Sequence, residues 1–387
     1  MFPQIVLIAV VAVIPSARAE RLVDLLGSPS YAARERVGRE LVQLGRYALP
    51  YLHRGAQSPD LEIAERCKRL IPQAEVQAVR QRVAHLLATP AAPPPDDLPR
   101  LRRFLQVTGD TREARELYVE MFVVHVRVLE DVERAGNRAG EIFWKDVDKR
   151  YQPRVDDLLD LDRRLPPPPR VVVSRADVAL FLLLSADPDL KPHKSVAVRH
   201  ADFPIFTSEA ARESLAGPKA SNAMRLLLFA WLNGPRNFEW PGAEATRVQQ
   251  AFKLLADAQV QDGRPVARQI ALDPNQWHVA RAAALLSLMR IGDRADVAPL
   301  SVLVPDQTTI GAGAHGQVLF GDVALAACLV LSGESPEKYG FGVALQSIQA
   351  GNVGAVDLGF EEPPRRDTAY KKWAEWSARK PAPGDKR

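Results

Sequence analysis

The chain has few of the residues that build disulfide and cofactor sites. Only two of its 387 residues are cysteines, Cys67 and Cys328. Two cysteines exclude a disulfide framework and also a cysteine-based zinc or haem site. Both fall at apolar positions of helix-like segments, so we expect two buried thiols. Whether the two thiols pair with each other is left open by the sequence.

A charge excess of one sign is also missing. Lysine and arginine number 51 against 47 acidic residues, which gives a net charge of +4. The two signs alternate along the chain, whereas nucleic-acid-binding proteins gather basic residues on one face. The sequence therefore argues against a nucleic-acid partner. Beyond the N-terminus it has no apolar run near the 20 or so residues that a spanning helix needs, so no membrane span is expected in the mature protein.

The common catalytic motifs do not occur: GxSxG, HExxH, a Walker-type loop and CxxCH are all lacking. A GxGxxG pattern occurs at Gly311, Gly313 and Gly316, but Pro305 and a polar stretch precede it. A dinucleotide site needs a strand at that place, so the pattern predicts a flexible loop. No cofactor and no catalytic residue are predicted.

The N-terminus has the features of a cleaved signal peptide. Residues 5–14 are apolar, and Ala17 and Ala19 supply the small side chains that a signal peptidase recognises. Cleavage after Ala19 is predicted, with export to the periplasm or the medium. The first four residues contain no lysine or arginine, which leaves an uncleaved anchor as the alternative.

An internal repeat with a spacing of 30 residues follows. Residues 28–41 are echoed by residues 58–71, each beginning with Ser-Pro. In the first copy Val37, Leu41 and Leu44 fall on one helical face. Similar apolar periodicity is present in most of the chain, so an all-α fold is predicted.

The ends of the first repeat helix also have recognisable signals. Ser28 is the expected N-cap, Pro29 suits the first turn, and Gly45 suits the C-terminal stop. A short second helix is expected around Leu49 and Leu52. The pattern predicts an antiparallel helix pair.

These segments resemble a known type of repeat. Residues 27–50 and residues 280–300 are similar to HEAT-type repeats, and the arrangement resembles exported bacterial proteins with HEAT-like segments. The resemblance implies stacked antiparallel helix pairs whose extended surface binds another protein, here one of the cell envelope. The middle of the chain departs from the pattern, so an irregular helical region is expected there.

Two proline clusters suggest domain boundaries. The expected organisation is a signal peptide at 1–19, HEAT-like repeats at 20–88, a proline-rich linker at 89–99, a long-helix region at 100–165, a proline linker at 166–169, a C-terminal helical domain at 170–378 and a disordered tail at 379–387. Strand signals occur only at 171–173 and 194–199.

Two segments could support another function. His193, His200 and Asp202 carry metal-ligand chemistry, and a metal-dependent hydrolase with its site there is the alternative to an interaction protein. Basic neighbours of these residues oppose cation binding, so no metal site is predicted outright. An aromatic patch of Trp231, Phe238 and Trp240 favours packing of a helix end over ligand binding.

Overall fold

The chain is predominantly α-helical. A computed structural model describes residues 17–88, 93–151, 172–190, 205–217, 220–234, 241–314 and 316–379. Within these ranges the only strands form one short hairpin, which confirms the all-α prediction. None of the described helices is both long and apolar enough to cross a membrane. The fold divides into two compact units, Met1–Arg102 and Arg103–Arg387.

Three helices build the N-terminal unit: α1 (Tyr31–Leu44), α2 (Leu49–Gly55) and α3 (Leu61–Ala88). Residues 17–24 are also helical. Gly45 ends α1 as predicted, with a positive φ of 54° that suits glycine. The predicted N-cap was wrong, because Ser30 and not Ser28 accepts a hydrogen bond from the Ala33 amide and α1 starts at Tyr31.

The second copy of the repeat does not turn after residue 71. Instead α3 continues to Ala88 with Pro72 inside it. Cys67 and Ala74, on either side of this proline, are both fully buried in the unit's core. Packing of one continuous face on α1 and α2 therefore outweighs the helix-breaking effect of Pro72.

Helices α1 and α3 run parallel. Near their N-termini Arg34 pairs with Glu62, and near the C-terminal end of α1 the Gln81 amide donates to the Gln43 carbonyl. The residues in contact are 28 positions apart near the N-termini and 38 apart at the other end, so the 30-residue spacing of the repeat is kept only near the N-termini. The core between the helices contains Val37, Leu41 and Leu52, of which the last two are fully buried.

The first half of the C-terminal unit contains α4 (Leu101–Thr108), α5 (Arg112–Ala135), α6 (Ala139–Tyr151), α7 (Arg175–Ser185), α8 (Glu209–Leu215) and α9 (Asn222–Asn233). The predicted long helix is α5, capped by the Thr111 side chain. It is kinked at His125, whose φ and ψ are −118° and 22°. Ser174 caps α7 in a capping box with Asp177.

The second half contains α10 (Pro241–Asp257), α11 (Arg264–Leu272), α12 (His278–Ile291), α13 (Val297–Ser301), β1 (Thr309–Gly313), β2 (Gly316–Leu319), α14 (Phe320–Leu331), α15 (Leu345–Gln349) and α16 (Pro363–Arg379). Helix α12 is buried nearly all round, since it packs against α10, α11 and α14. The second helix predicted after it is the single short turn of α13.

The GxGxxG segment is not a flexible loop, which corrects that prediction. It forms the antiparallel hairpin of β1 and β2, in which Gly313 pairs with Gly316. A Cβ added at Gly313 would overlap the carbonyl oxygen of Val356. The glycines therefore allow close packing on another part of the backbone, a role that glycine patterns do not reveal by themselves.

The two predicted strand segments are not strands where they are described. Residues 172 and 173 have no regular structure, while 171 and 194–199 lie outside the described residues. Most of the predicted tail lies outside them too, and Arg379 is the last residue of α16.

Candidate functional site

A groove between α1 and α3 is the clearest candidate site in the N-terminal unit. It has a volume of about 370 Å³. We call it the basic groove, and its lining residues are Leu26, Arg34, Glu35, Gly38, Arg39, Val42, Gln43, Arg66, Arg69, Leu70 and Gln73. Four of these are arginines and one is a glutamate, so its walls are cationic.

The floor of the groove is where the two helices come closest. Gly38 is buried on α1, and a Cβ at this position would lie 3.5 Å from the Cδ2 atom of Leu70 on α3. Leu26 lies below, with only 1% of its surface exposed. The floor is therefore apolar, and the charged groups stand on its sides.

On the α3 side, Arg66 is held in place by two carboxylates. Its Nε lies 2.6 Å from Oε1 of Glu62, and its Nη1 lies 3.0 Å from Oε1 of Glu35. The hydrogen bond from Arg66 lowers the pKa of Glu62, and the same bond raises the pKa of Arg66. The guanidinium is fixed and stays charged.

On the α1 side, Arg34 is anchored to the chain before the helix. Its Nη1 donates to the carbonyl oxygen of Ser28 at 2.7 Å and to that of Pro29 at 3.1 Å. Arg39 and Arg69, in contrast, are exposed. Two positioned guanidinium groups and two accessible ones give the groove the chemistry to bind carboxylates, which guanidinium groups can hold through paired hydrogen bonds.

Exposed apolar side chains stand at one end of the groove. Tyr31 begins α1 and is 66% exposed, and Leu61 begins α3 and is 79% exposed. Because α1 and α3 are parallel, both residues lie at the same end of the helix pair. A ligand that extends from the groove in this direction would meet apolar as well as cationic groups.

Sequence analysis missed this groove. The repeat pattern placed Val37, Leu41 and Leu44 on one face of α1 but gave no information on which helix lies beside α1. The 30-residue repeat is the sequence feature from which the groove could have been predicted. Parallel copies place the arginines of residues 34–39 next to those of residues 66–69.

The two residues of the predicted signal cleavage site lie in the helical segment 17–24. Ala19 is fully buried in the core of the N-terminal unit, and the neighbouring Arg18 pairs with Glu40 at 2.8 Å. Cleavage after Ala19 would remove both contacts from the mature protein. The cleavage site stays a prediction.

Both cysteines are buried and have free thiols, which confirms the first expectation for them. Burial raises the pKa of Cys67 to about 11 and that of Cys328 to about 12. Thiols with such pKa values carry almost no thiolate at neutral pH, so neither cysteine has the properties of a nucleophile.

The candidate metal ligands His193, His200 and Asp202 lie outside the described residues. Within the described part of the chain, no group of three or more histidine, cysteine and acidic side chains could hold a metal ion. From the aromatic patch, Trp231 packs against Phe206 with ring centroids 4.9 Å apart, as expected for packing. Phe238 and Trp240 lie outside the described ranges.

Two carboxylates at helix N-termini of the C-terminal unit have side-chain neighbours that the sequence did not predict. Nε2 of His125, at the kink of α5, lies 3.2 Å from Oδ1 of Asp177 on α7. Nε of Arg366 on α16 lies 3.0 Å from Oδ1 of Asp322, which is fully buried at the start of α14. Asp177 belongs to a capping box with Ser174, and Asp322 accepts a hydrogen bond from the Leu319 amide at the start of α14, so both carboxylates have a clear structural role.

No protein-family model matches the chain, and none of the curated proteins compared with it is similar in sequence.

Proposed function

We propose that the N-terminal unit is a non-enzymatic protein-interaction module of the HEAT-like kind, which binds an acidic segment of a partner protein in the basic groove. The observation that carries this proposal is the clustering of Arg34, Arg39, Arg66 and Arg69 around an apolar floor. Glu35 in the lining and Glu62 beside it offset part of this charge, so Arg39 and Arg69 are the cations left for a ligand.

A polypeptide suits this groove better than a small molecule does. The groove is open along two helices, and it leads to the exposed Tyr31 and Leu61. An extended segment with acidic and apolar side chains would contact both regions at once. Parallel stacking of α1 and α3 supports the HEAT-like interpretation, because stacked repeats build extended binding surfaces.

The location follows from the N-terminal segment. An apolar stretch at residues 5–14 followed by Ala17 and Ala19 supports export, so the proposed partner is a protein of the cell envelope. N-terminal sequencing of exported protein tests this part, with Glu20 expected as the first residue. Retention of Met1 in a membrane fraction would contradict it.

Fluorescence anisotropy with the full chain tests the groove. The probe is a labelled peptide rich in glutamate and leucine, with a lysine and leucine peptide of equal length as its counterpart. We expect the acidic peptide to bind. The double variant Arg39→Glu/Arg69→Glu should lower the affinity for this peptide by about tenfold or more, because close charge pairs become repulsive.

The matched control reverses the same number of charges on the same helices. Arg36 on α1 and Arg80 on α3 are exposed but do not line the groove. Arg36→Glu/Arg80→Glu should weaken binding by only about twofold, through the general field. Equal losses in the two double variants, or equal binding of both peptides, would contradict the proposal.

A further inference from the structure

A small pocket in the C-terminal unit lies where α10 and α12 meet the segment that contains α15. Its volume is about 80 Å³. Phe252, Leu286 and Ile348 contribute apolar walls, and Lys253, Ser287 and Arg290 contribute polar ones. The pocket is therefore apolar on one side and carries donors and positive charge on the other.

The two cations share one carboxylate. Nη1 of Arg290 lies 2.6 Å from Oδ1 of Asp257, and Nζ of Lys253 lies 3.2 Å from Oδ2 of the same residue. One negative charge thus faces two positive charges. Nε of Arg290 is also buried and has no hydrogen-bond partner among the described residues. The polar side of the pocket has both charge and a donor available for an anion.

Ser287 is the independent observation that points to a ligand. Its residue surface is only 2% exposed, and its hydroxyl has no hydrogen-bond partner in the described part of the chain. Buried hydroxyl groups normally have a hydrogen-bond partner, because burying a hydroxyl without a hydrogen bond destabilises the fold. A ligand oxygen in the pocket would accept this hydrogen bond.

Gly351 lines the pocket, and its backbone conformation favours glycine. Its φ is +75°, and a Cβ added there would lie 2.7 Å from Nη1 of Arg290. Its carbonyl oxygen accepts a hydrogen bond from Nζ of Lys253 at 3.5 Å. Any side chain at this position would push against the guanidinium that faces the pocket.

We propose that this pocket binds a small organic carboxylate with a short apolar tail. The carboxylate lies against Ser287 and Arg290, and the tail lies against Phe252 and Leu286. The pocket takes only a ligand of a few heavy atoms. Because Asp257 offsets one of the two charges of Lys253 and Arg290, one positive charge is in excess. A single excess charge suits a monoanion better than a phosphate dianion. This site is separate from the proposed peptide groove, so either proposal can fail alone.

Titration of the full chain with butyrate, followed by ligand-observed NMR, tests the site. Butyramide has the same shape without the charge, and inorganic phosphate has the charge without the tail. Both should bind about tenfold more weakly than butyrate or worse, since each lacks one half of the recognition. Failure of butyrate to bind, or equal binding of butyramide or phosphate, overturns the proposal.

Variants locate the binding. Ser287→Ala removes one oxygen and should weaken butyrate binding about tenfold to a hundredfold, the usual range for one hydrogen bond to a charged group. Gly351→Ala should abolish binding. The control is Ser332→Ala, because Ser332 also has a buried hydroxyl without a partner in the described chain but lies outside the pocket. Equal effects of the two serine variants would refute the assignment, and circular dichroism checks that each variant is folded.

Discussion

The hydroxyl of Tyr370 donates a hydrogen bond to the buried carboxylate of Asp322 across 3.0 Å, which joins α16 to the start of α14. The same carboxylate accepts from the Leu319 amide at 2.9 Å and from Nε of Arg366 at 3.0 Å. Burial raises the pKa of Asp322, and these donors act in the opposite direction. Asp322 and its donors thus form one buried polar attachment point of α16.

Tyr370→Phe should destabilise the C-terminal unit by about 1 to 3 kcal/mol, because it leaves a buried carboxylate with one donor fewer. Urea titration followed by the helical signal measures this. Tyr31→Phe is the matched control, since Tyr31 is 66% exposed and its variant should stay within about 0.5 kcal/mol. Coincident midpoints of the Tyr370 variant and the parent would show that this hydrogen bond contributes nothing.

Local signals in the sequence predicted helix positions well but did not predict partners. Gly45 was recognisable as the end of α1 because a stop signal and its helix are neighbours in sequence. Asp322 could not be recognised as the anchor of α16, because Arg366 and Tyr370 are 44 and 48 residues away. The basic groove and the pocket between α10 and α12 could not be predicted for the same reason, since each is formed by helices that are distant in sequence.

The hairpin and the length of α3 show a second limit. The glycines weaken the strand signal of this segment although Thr309, Ile310 and Val318 are β-branched, and Gly313 packs closely on the backbone of Val356. A proline inside a helix normally ends or kinks it, but α3 continues through Pro72 with Cys67 and Ala74 buried on either side of it. In both places long-range packing decides the structure.

Alanine substitution at two glycines of the N-terminal unit should change its stability in opposite directions. A Cβ at Gly55 would lie 2.6 Å from Sγ of Cys67 and 2.8 Å from Cγ1 of Val23. Gly55→Ala should therefore cost about 1 to 3 kcal/mol through overpacking. At Gly38 the nearest atom would be 3.5 Å away, and Gly38→Ala should stabilise α1 by about 0.5 to 1 kcal/mol. Thermal unfolding of both variants measures the contrast, and two shifts of the same sign would contradict it.

Asp110 should make the C-terminal unit sensitive to acid. Its carboxylate accepts two hydrogen bonds from the buried guanidinium of Arg115, at 2.6 and 2.8 Å, and the pKa of Asp110 is lowered as a result. A lowered folded-state pKa means that the contribution to stability is present above the ordinary carboxyl value of about 3.9. It is lost as the pH falls through the folded-state pKa.

Asp110→Asn should therefore destabilise the unit at neutral pH, and its difference from the parent should shrink below about pH 4. Urea midpoints measured across this pH range test the slope. The control is Asp131→Asn, because Asp131 and its partner Arg134 are both exposed and such pairs contribute about 0 to 1 kcal/mol. A difference at Asp110 that is constant with pH would refute the role of its charge.

The packing of α1 against its neighbouring helices can be tested at two nearby residues. Leu41 is fully buried against the core of the N-terminal unit, whereas Arg39 is exposed at the groove. Leu41→Ala should cost about 2 to 5 kcal/mol, because it removes a buried side chain and leaves a cavity. Arg39→Ala should stay within about 0.5 kcal/mol, as surface changes usually do.

The same pair separates stability from binding. Arg39→Ala should weaken binding of the acidic peptide and leave the urea midpoint unchanged, since Arg39 lines the groove and does not pack in the core. Leu41→Ala should lower the midpoint, and below its transition the remaining folded protein should bind the peptide normally. A loop or an isolated amphipathic helix would show little cost at either residue, because neither buries Leu41. Coincident midpoints for the two variants would therefore refute the packing of α1 against its neighbours.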